Sequence, residues 1–149
     1  MSSEQTFLML KPDGVARGLT GETISRVEKK GLTIAAMKLM RITRELAEKH
    51  YGIHKGKPFY DELVEFITSG PVVAMVIEGP NAIRIIRTMA GATNPVESVP
   101  GSIRGDLALT ISHNVVHSSD GPETARFEVG NFFSDQEILS YQRADTRWL

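Results

Sequence analysis

The chain contains no cysteine, which excludes disulfides, thiolate nucleophiles and the common thiolate zinc sites. It has no surplus of either charge: 17 Lys and Arg stand against 18 Asp and Glu, a net charge of −1. No global field therefore draws nucleic acid or an anionic membrane, although a local basic pocket remains open. No apolar run approaches the ~20 residues that a bilayer-spanning helix needs. The first residues, Met1-Ser2-Ser3-Glu4-Gln5-Thr6, lack the basic and apolar regions of a secretory signal, so a cytoplasmic protein is expected. The familiar Gly-rich phosphate loops are missing too. Gly14-Val15-Ala16-Arg17-Gly18 has neither the spacing nor the lysine of a P-loop, and no G-x-G-x-x-G follows a strand. Neither internal repeat nor linker composition interrupts the chain.

What is present is 149 residues of ordinary globular composition, enough for a single domain, 1–149, with a sizeable core. Thr6–Leu10 reads as a buried first strand, ended by a turn at Lys11-Pro12-Asp13-Gly14. Thr20 is placed to cap a helix that carries Glu22 early and Lys29-Lys30 late, with Gly31 as its stop. Leu32–Ile42 follows as a strand. Thr43 caps a helix through Leu46 to Tyr51, and Phe59, Leu63, Phe66 and Ile67 mark another, the two forming an αα-hairpin with a short connection. Val72–Ile77 is apolar throughout and so central in a sheet. Pro80 or Asn81 opens a helix with Ile83, Ile86 and Met89 on one face. From Gly91 to Gly105 periodicity disappears, and a loop of that length inside a domain tends to be functional. Leu107–Ile111 is apolar without a clear type. Pro122–Phe133 is a helix burying Ala125, Val129 and Phe132; Ser134-Asp135-Gln136-Glu137 fits a capping box. Trp148, in the tail, is expected to dock on the domain or on a neighbouring subunit. With the hairpin as an insertion, this order is a split βαβ pattern: an antiparallel sheet backed by helices.

The stretch Asn114-Val115-Val116-His117-Ser118-Ser119-Asp120 sets a histidine at the end of an apolar strand. Ser119 or Asp120 is placed to cap the helix that starts at Pro122. A histidine at a strand mouth near a helix N-terminus is suited to meet an anion. His50 and His54 lie four apart, as zinc ligands on a helix do, but Gly52 stands between them and no HExxH glutamate is present. His113 and His117 lack a third ligand. The remaining candidates are Tyr51, Phe59, Asn114, Ser119 and Glu128, with the positively charged or hydroxyl-bearing Lys11 at a strand end, Arg87 late in a helix, and Thr93 and Arg104 in the long loop. Together the last four are capable of forming a cationic phosphate cradle.

These residues carry a resemblance. Lys11-Pro12-Asp13-Gly14-Val15, Arg17-Gly18, Ser69 to Val76, Thr93-Asn94-Pro95, Arg104-Gly105-Asp106 and Asn114 to His117 are similar, in order and spacing, to nucleoside diphosphate kinases, with the match running from Thr6 through Trp148. The resemblance implies a ferredoxin-like α/β (α+β) βαββαβ sandwich, with the αα-hairpin inserted in it. It implies Mg²⁺-dependent transfer of the terminal phosphate between nucleoside tri- and diphosphates by a ping-pong scheme, and a homo-oligomer, a hexamer favoured over a tetramer. His117 then matches the nucleophile. Lys11 and Asn114 match the pair holding the sugar 3′-hydroxyl and nearby phosphate oxygens, and Phe59 matches the aromatic under the base. Arg87, Thr93 and Arg104 match phosphate ligands, while Tyr51, Ser119 and Glu128 match residues packed around the histidine. One departure is Ser118, where the family usually has Gly; a backbone with φ > 0 there would cost a serine roughly 1–2 kcal/mol.

The chemistry suits the residues. An imidazole of solution pKa near ~6.5 keeps a neutral, nucleophilic fraction at physiological pH, and position and cations supply most of the catalysis of phosphoryl transfer. Mg²⁺, which dehydrates reluctantly, would be held mainly by the nucleotide's phosphates. Stacking on Phe59 accepts any base, so broad base tolerance is expected. The competing readings are a histidine phosphatase and a silent oligomeric binding protein.

Overall fold

The computed structural model describes residues 3–149. Four strands form one antiparallel sheet in the order β2-β3-β1-β4: β1 (Glu4–Leu10), β2 (Thr33–Met40), β3 (Val72–Gly79) and β4 (Val116–Ser118). Seven α-helices connect or flank them: α1 (Pro12–Ala16), α2 (Thr20–Lys30), α3 (Arg44–His50), α4 (Tyr60–Ile67), α5 (Ala82–Ala90), α6 (Ile103–Leu107) and α7 (Pro122–Phe132). This is the expected ferredoxin-like α+β arrangement. A register shift between Ile34 and Ala36 is the irregularity in the β2–β3 ladder.

The central strands are apolar throughout because both faces of the sheet are covered. Phe7 and Met9 of β1, with Val72, Ala74 and Val76 of β3, pack against residues of α3, α4 and α7. Leu8, Leu10, Val73, Met75 and Ile77 point the other way, against α2, α5 and α6. Strand alternation therefore divides one continuous apolar run between two cores.

Thr43 caps α3, accepting from Leu46 N at 3.1 Å, and Gly31 ends α2 at φ 102°. Ser134 and Glu137 close their capping box on a 3-10 turn. Several local expectations are corrected. Lys11 to Gly14 is not a turn: Lys11 is the N-cap of α1 and Pro12 its first residue, where a missing N–H costs nothing. Leu19, not Thr20, sits at the N-cap of α2. α5 buries Ala82, Ile86 and Ala90, while Ile83 is only partly covered. The hairpin connection, 51–59, is longer than expected and includes a 3-10 turn. The long loop holds α6, too short to leave a periodic signature and capped by Ser102 accepting from Gly105 N. Neither Ser119 nor Asp120 caps α7: Gly121 holds that position, Ser119 turns inward, and Asp120 accepts from the Thr124 hydroxyl at 2.7 Å. Trp148 is 74% exposed in the single chain. No helix among the described residues is long and apolar enough to cross a membrane.

Candidate active site

The site begins with a break in strand alternation. Asn114 and His117 are three apart and would face opposite sides of a regular strand. Val115, however, holds φ 74°, a conformation β-branched residues rarely adopt. It is held there by its neighbours. Lys11 N donates to Val115 O at 2.9 Å, and Val115 N donates to Asp13 Oδ2 at 3.0 Å. Gly14 permits the approach, since a Cβ there would lie 2.9 Å from Val115 O. The kink sends Val115 and Val116 into the same core and leaves both Asn114 and His117 lining one cavity of about 830 Å³.

His117 Nε2 lies 2.8 Å from Glu128 Oε2, and Ser119 Oγ donates to Glu128 Oε1 at 2.6 Å. Burial alone would push the Glu128 carboxyl up, but the His117 and Ser119 hydrogen bonds and the His117 charge bring it below the usual glutamate value. It is therefore an anion, an acceptor only, and the proton between the pair belongs to Nε2. Nδ1 of a ring that borders the cavity is left as the free nitrogen. His50 packs edge-on against His117, with ring centroids 4.7 Å apart. The Tyr51 phenol is pushed up to about 12, first by burial and then by the Glu128 charge.

Across the cavity, the Lys11 ammonium donates to Asn114 Oδ1, and Asn114 Nδ2 donates to Thr93 O at 2.9 Å. Burial, with Arg104 acting in the same sense, brings Lys11 down to about 8 despite Asp13. Arg104 is 4% exposed and spans three backbone carbonyls: Asn114 O at 3.2 Å, Gly91 O at 2.9 Å and Val116 O at 2.6 Å. It thus ties the long loop to the histidine segment. Burial and then Arg87 lower it to about 10. Arg87 Nη1 donates to Ser118 O at 2.9 Å. Phe59 stands at the N-cap of α4, 45% exposed, with the Lys57 ammonium 5.8 Å from its ring centre. Every residue expected at the site lines this cavity except Ser119, which reaches it through Glu128. Ser118 lies in β4 outside the positive-φ region, so the expected serine strain is absent.

The structure adds residues that the sequence did not single out as site residues, among them His54, Phe66 and Ile111 in the lining. His113, discounted there as a ligand, stacks edge-on with Phe66 at 5.2 Å. Pairing across elements decides all of these, and one-dimensional spacing carries no signal for it. His50, His117 and Glu128 each offer a ligand atom within 4.8 Å of the others. The direct 2.8 Å bond between His117 and Glu128 nevertheless leaves no place for an ion between them.

Residues 4–138 match the family model described as nucleoside diphosphate kinase. The chain belongs to the nucleoside diphosphate kinase family. Among the relatives of this family member, the nucleoside diphosphate kinase of Archaeoglobus fulgidus is 58% identical over 146 residues, covering 98% of this chain and 97% of the relative. That of Listeria monocytogenes serotype 4b is 59% identical, with 98% and 99% covered. A halophilic nucleoside diphosphate kinase from Halobacterium salinarum, solved in complex with CDP, superposes with a TM-score of 0.96 at 47% identity, covering 99% of this chain and 98% of that one. A nucleoside diphosphate kinase family protein from Babesia bovis gives 0.95 at 43% identity, with 97% and 98% covered. This family member is a phosphotransferase that moves a phosphate from a nucleoside triphosphate to a nucleoside diphosphate.

Proposed function

We propose that the phosphate passes through a covalent phosphohistidine on His117, in a ping-pong exchange with Mg²⁺ as the cofactor. The observation that carries this reading is the 2.8 Å bond from His117 Nε2 to Glu128, which fixes the tautomer and leaves the Nδ1 lone pair free. Nδ1 attacks the γ-phosphorus in line, the bond from phosphorus to the bridging oxygen breaks, and the electron pair leaves with the diphosphate. A second diphosphate then takes the phosphoryl group by the reverse step. Lys11, Arg87 and Arg104 are the cations that meet charge on the equatorial oxygens, Arg87 and Arg104 with the N–H groups their carbonyl bonds leave free. Thr93 adds a phosphate ligand, and Lys11 with Asn114 holds the sugar hydroxyl. Ser119 steadies Glu128, and Tyr51 closes the histidine's apolar side.

The donor set fits Mg²⁺ carried in on phosphates rather than caged by protein. Glu128 is committed to His117 and Ser119; Glu62 and Asp120, the latter bonded to the Thr124 hydroxyl, are the other lining carboxylates that would meet a water of the ion's shell. When bound, the ion neutralises charge on the phosphates. Stacking of the base on exposed Phe59 contributes about 1–3 kcal/mol whichever base it is, so purine and pyrimidine nucleotides should turn over within an order of magnitude of each other. The Halobacterium salinarum relative was solved in complex with CDP, which supports nucleotide binding by this chain. Free nucleotides as substrates make the cytoplasm the proposed place of work. A homo-oligomer is supported by exposed apolar side chains, Val96, Val99 and Leu109 on and beyond the long loop and Trp148 in the tail; the preference for a hexamer over a tetramer comes from the family resemblance alone. Light scattering decides its size.

Incubation with γ-labelled ATP tests the chemistry. Acid-labile label should appear on the protein, persist until a diphosphate is added, and vanish in His117→Ala. An unlabelled parent would exclude the phosphohistidine, label surviving in the variant would exclude His117, and label lost to water alone would make the enzyme a phosphatase.

A further inference from the structure

His50 is a buried titratable side chain for which that chemistry has no use. It ends α3 with its side chain 2% exposed, among the rings of Phe7, Tyr51, Phe132 and His117. Neither ring nitrogen has a hydrogen-bond partner among the described residues. A neutral imidazole carries one donor and one acceptor, and burying both unpaired is unfavourable. A phenyl ring would fill the same aromatic slot without that penalty. Burial, and then the neighbouring His117, bring the pKa of His50 down to about 3, so the ring is neutral wherever the enzyme works. The polar atom it approaches is Glu128 Oε2, 3.7 Å from His50 Nδ1. That same oxygen already accepts from His117.

We propose that His50 is a positioning residue held in reserve: as His117 moves onto the γ-phosphorus, the His50 Nδ1–H closes on Glu128 Oε2 and keeps that carboxylate anionic and aimed at His117 Nε2. The proposal rests on the phosphohistidine reading. No proton changes owner in this step. The Nδ1 lone pair forms the bond to phosphorus, Nε2 keeps its hydrogen, and the ring gains a positive charge that Glu128 faces. An ionised carboxylate has lone-pair sites to spare beyond the His117 and Ser119 bonds. The groups facing it are His117 and Ser119 from β4 and the residues after it, and His50 and Tyr51 at the end of α3. The Tyr51 phenol stays neutral, and Phe7 and Phe132 add no charge. A second imidazole donor thus compensates the carboxylate while the first is drawn toward phosphate.

The test is rapid-quench measurement of phosphoenzyme formation from γ-labelled ATP, from acid to alkaline pH, on the full-length parent, His50→Phe and His50→Asn. Phenylalanine keeps the ring without a donor; asparagine keeps a donor near Nδ1. His50→Phe should form phosphoenzyme about tenfold more slowly, the loss expected for a hydrogen bond to a charged group, with nucleotide KM unchanged and the acid limb of its profile moved to higher pH. His50→Asn should recover most of the rate. Equal rates in His50→Phe and the parent, or equal losses in both variants, overturn the proposal. Nitrogen-15 spectra of the parent's histidines decide it without any variant. A proton on His50 Nδ1 that shifts downfield on phosphorylation supports the role, and an Nε2–H tautomer indifferent to phosphorylation overturns it. A parent that takes no label fails at the earlier reading instead, before His50 is in question.

Discussion

Lys11 gives the residue scale its clearest consequence. Burial holds the ammonium down to about 8, so the unbound enzyme loses this charge, proposed above to meet phosphate, as pH rises through that value. The kcat/KM for a nucleotide should fall along an alkaline limb near pH 8, and Lys11→Gln, already without the charge, should lack that limb. The effect on folding has the opposite sense: the unfolded chain holds the proton more tightly, so stability rises with pH between about 8 and 10.5. A denaturant series across that range checks the direction. Ser118 gives a second expectation. Its backbone needs no glycine, so Ser118→Gly should lower stability by roughly 0.5–1 kcal/mol for a glycine in a strand while the phosphoenzyme rate holds; melting and rapid-quench curves measure both. At this scale, His117, Lys11 and Asn114 were reached through the family resemblance of the two motifs that hold them, and the fold brings all three to one cavity. His50 was not, because its meaning lies in a 3.7 Å approach to a residue of another helix.

Among the elements, those that announced themselves carry caps or long runs. The α3 helix begins where Thr43 says it should, and Thr43→Ala should cost about 1 kcal/mol in a chemical unfolding curve. β3 was legible from six consecutive apolar residues, all buried. The α1 helix was missed because Pro12, Asp13 and Gly14 are turn formers by composition; in the fold Pro12 takes the first helical position and Asp13 is tied to Val115 N. The α6 helix escaped notice because five residues cannot display a helical period. Its position is still exacting. A Cβ at Gly105 would fall 2.0 Å from Val99 O, so Gly105→Ala must displace either the helix or the loop. Arg104 would move with it and lose its grip on Asn114 and Val116. The expected result is a higher nucleotide KM and a depressed melting temperature, seen by steady-state kinetics and calorimetry.

For the whole molecule, the strand-and-helix order pointed to an antiparallel sheet with helices packed on it, and the sheet has that form. That helices cover both faces, one side built from α2, α5 and α6 and the other from α3, α4 and α7, was implicit in strands too apolar to tolerate solvent on either side. The course of the tail was not legible, since 139–149 has no periodicity. After the 3-10 turn at Asp135–Glu137 it runs beside β2, with Leu139 N donating to Ala35 O at 2.9 Å and the Tyr141 hydroxyl donating to Ile34 O at 2.8 Å. Arg143 then donates to Glu28 O in the last turn of α2 and to Leu32 O just beyond its Gly31 cap.

Those few bonds make the tail a guard. β2 is the outer strand on its side of the sheet, and an outer strand with vacant carbonyls is a template on which another chain can add a strand. Ala35 and Ile34 are the carbonyls the tail occupies, next to the exposed side chains of Met37 and Leu39. A chain stopped at Ile138 keeps every residue of the pocket but uncovers that edge. It should catalyse at first and then polymerise edge to edge, with thioflavin fluorescence and turbidity rising as activity falls; a truncated protein that stays dispersed would show that the edge needs no guard.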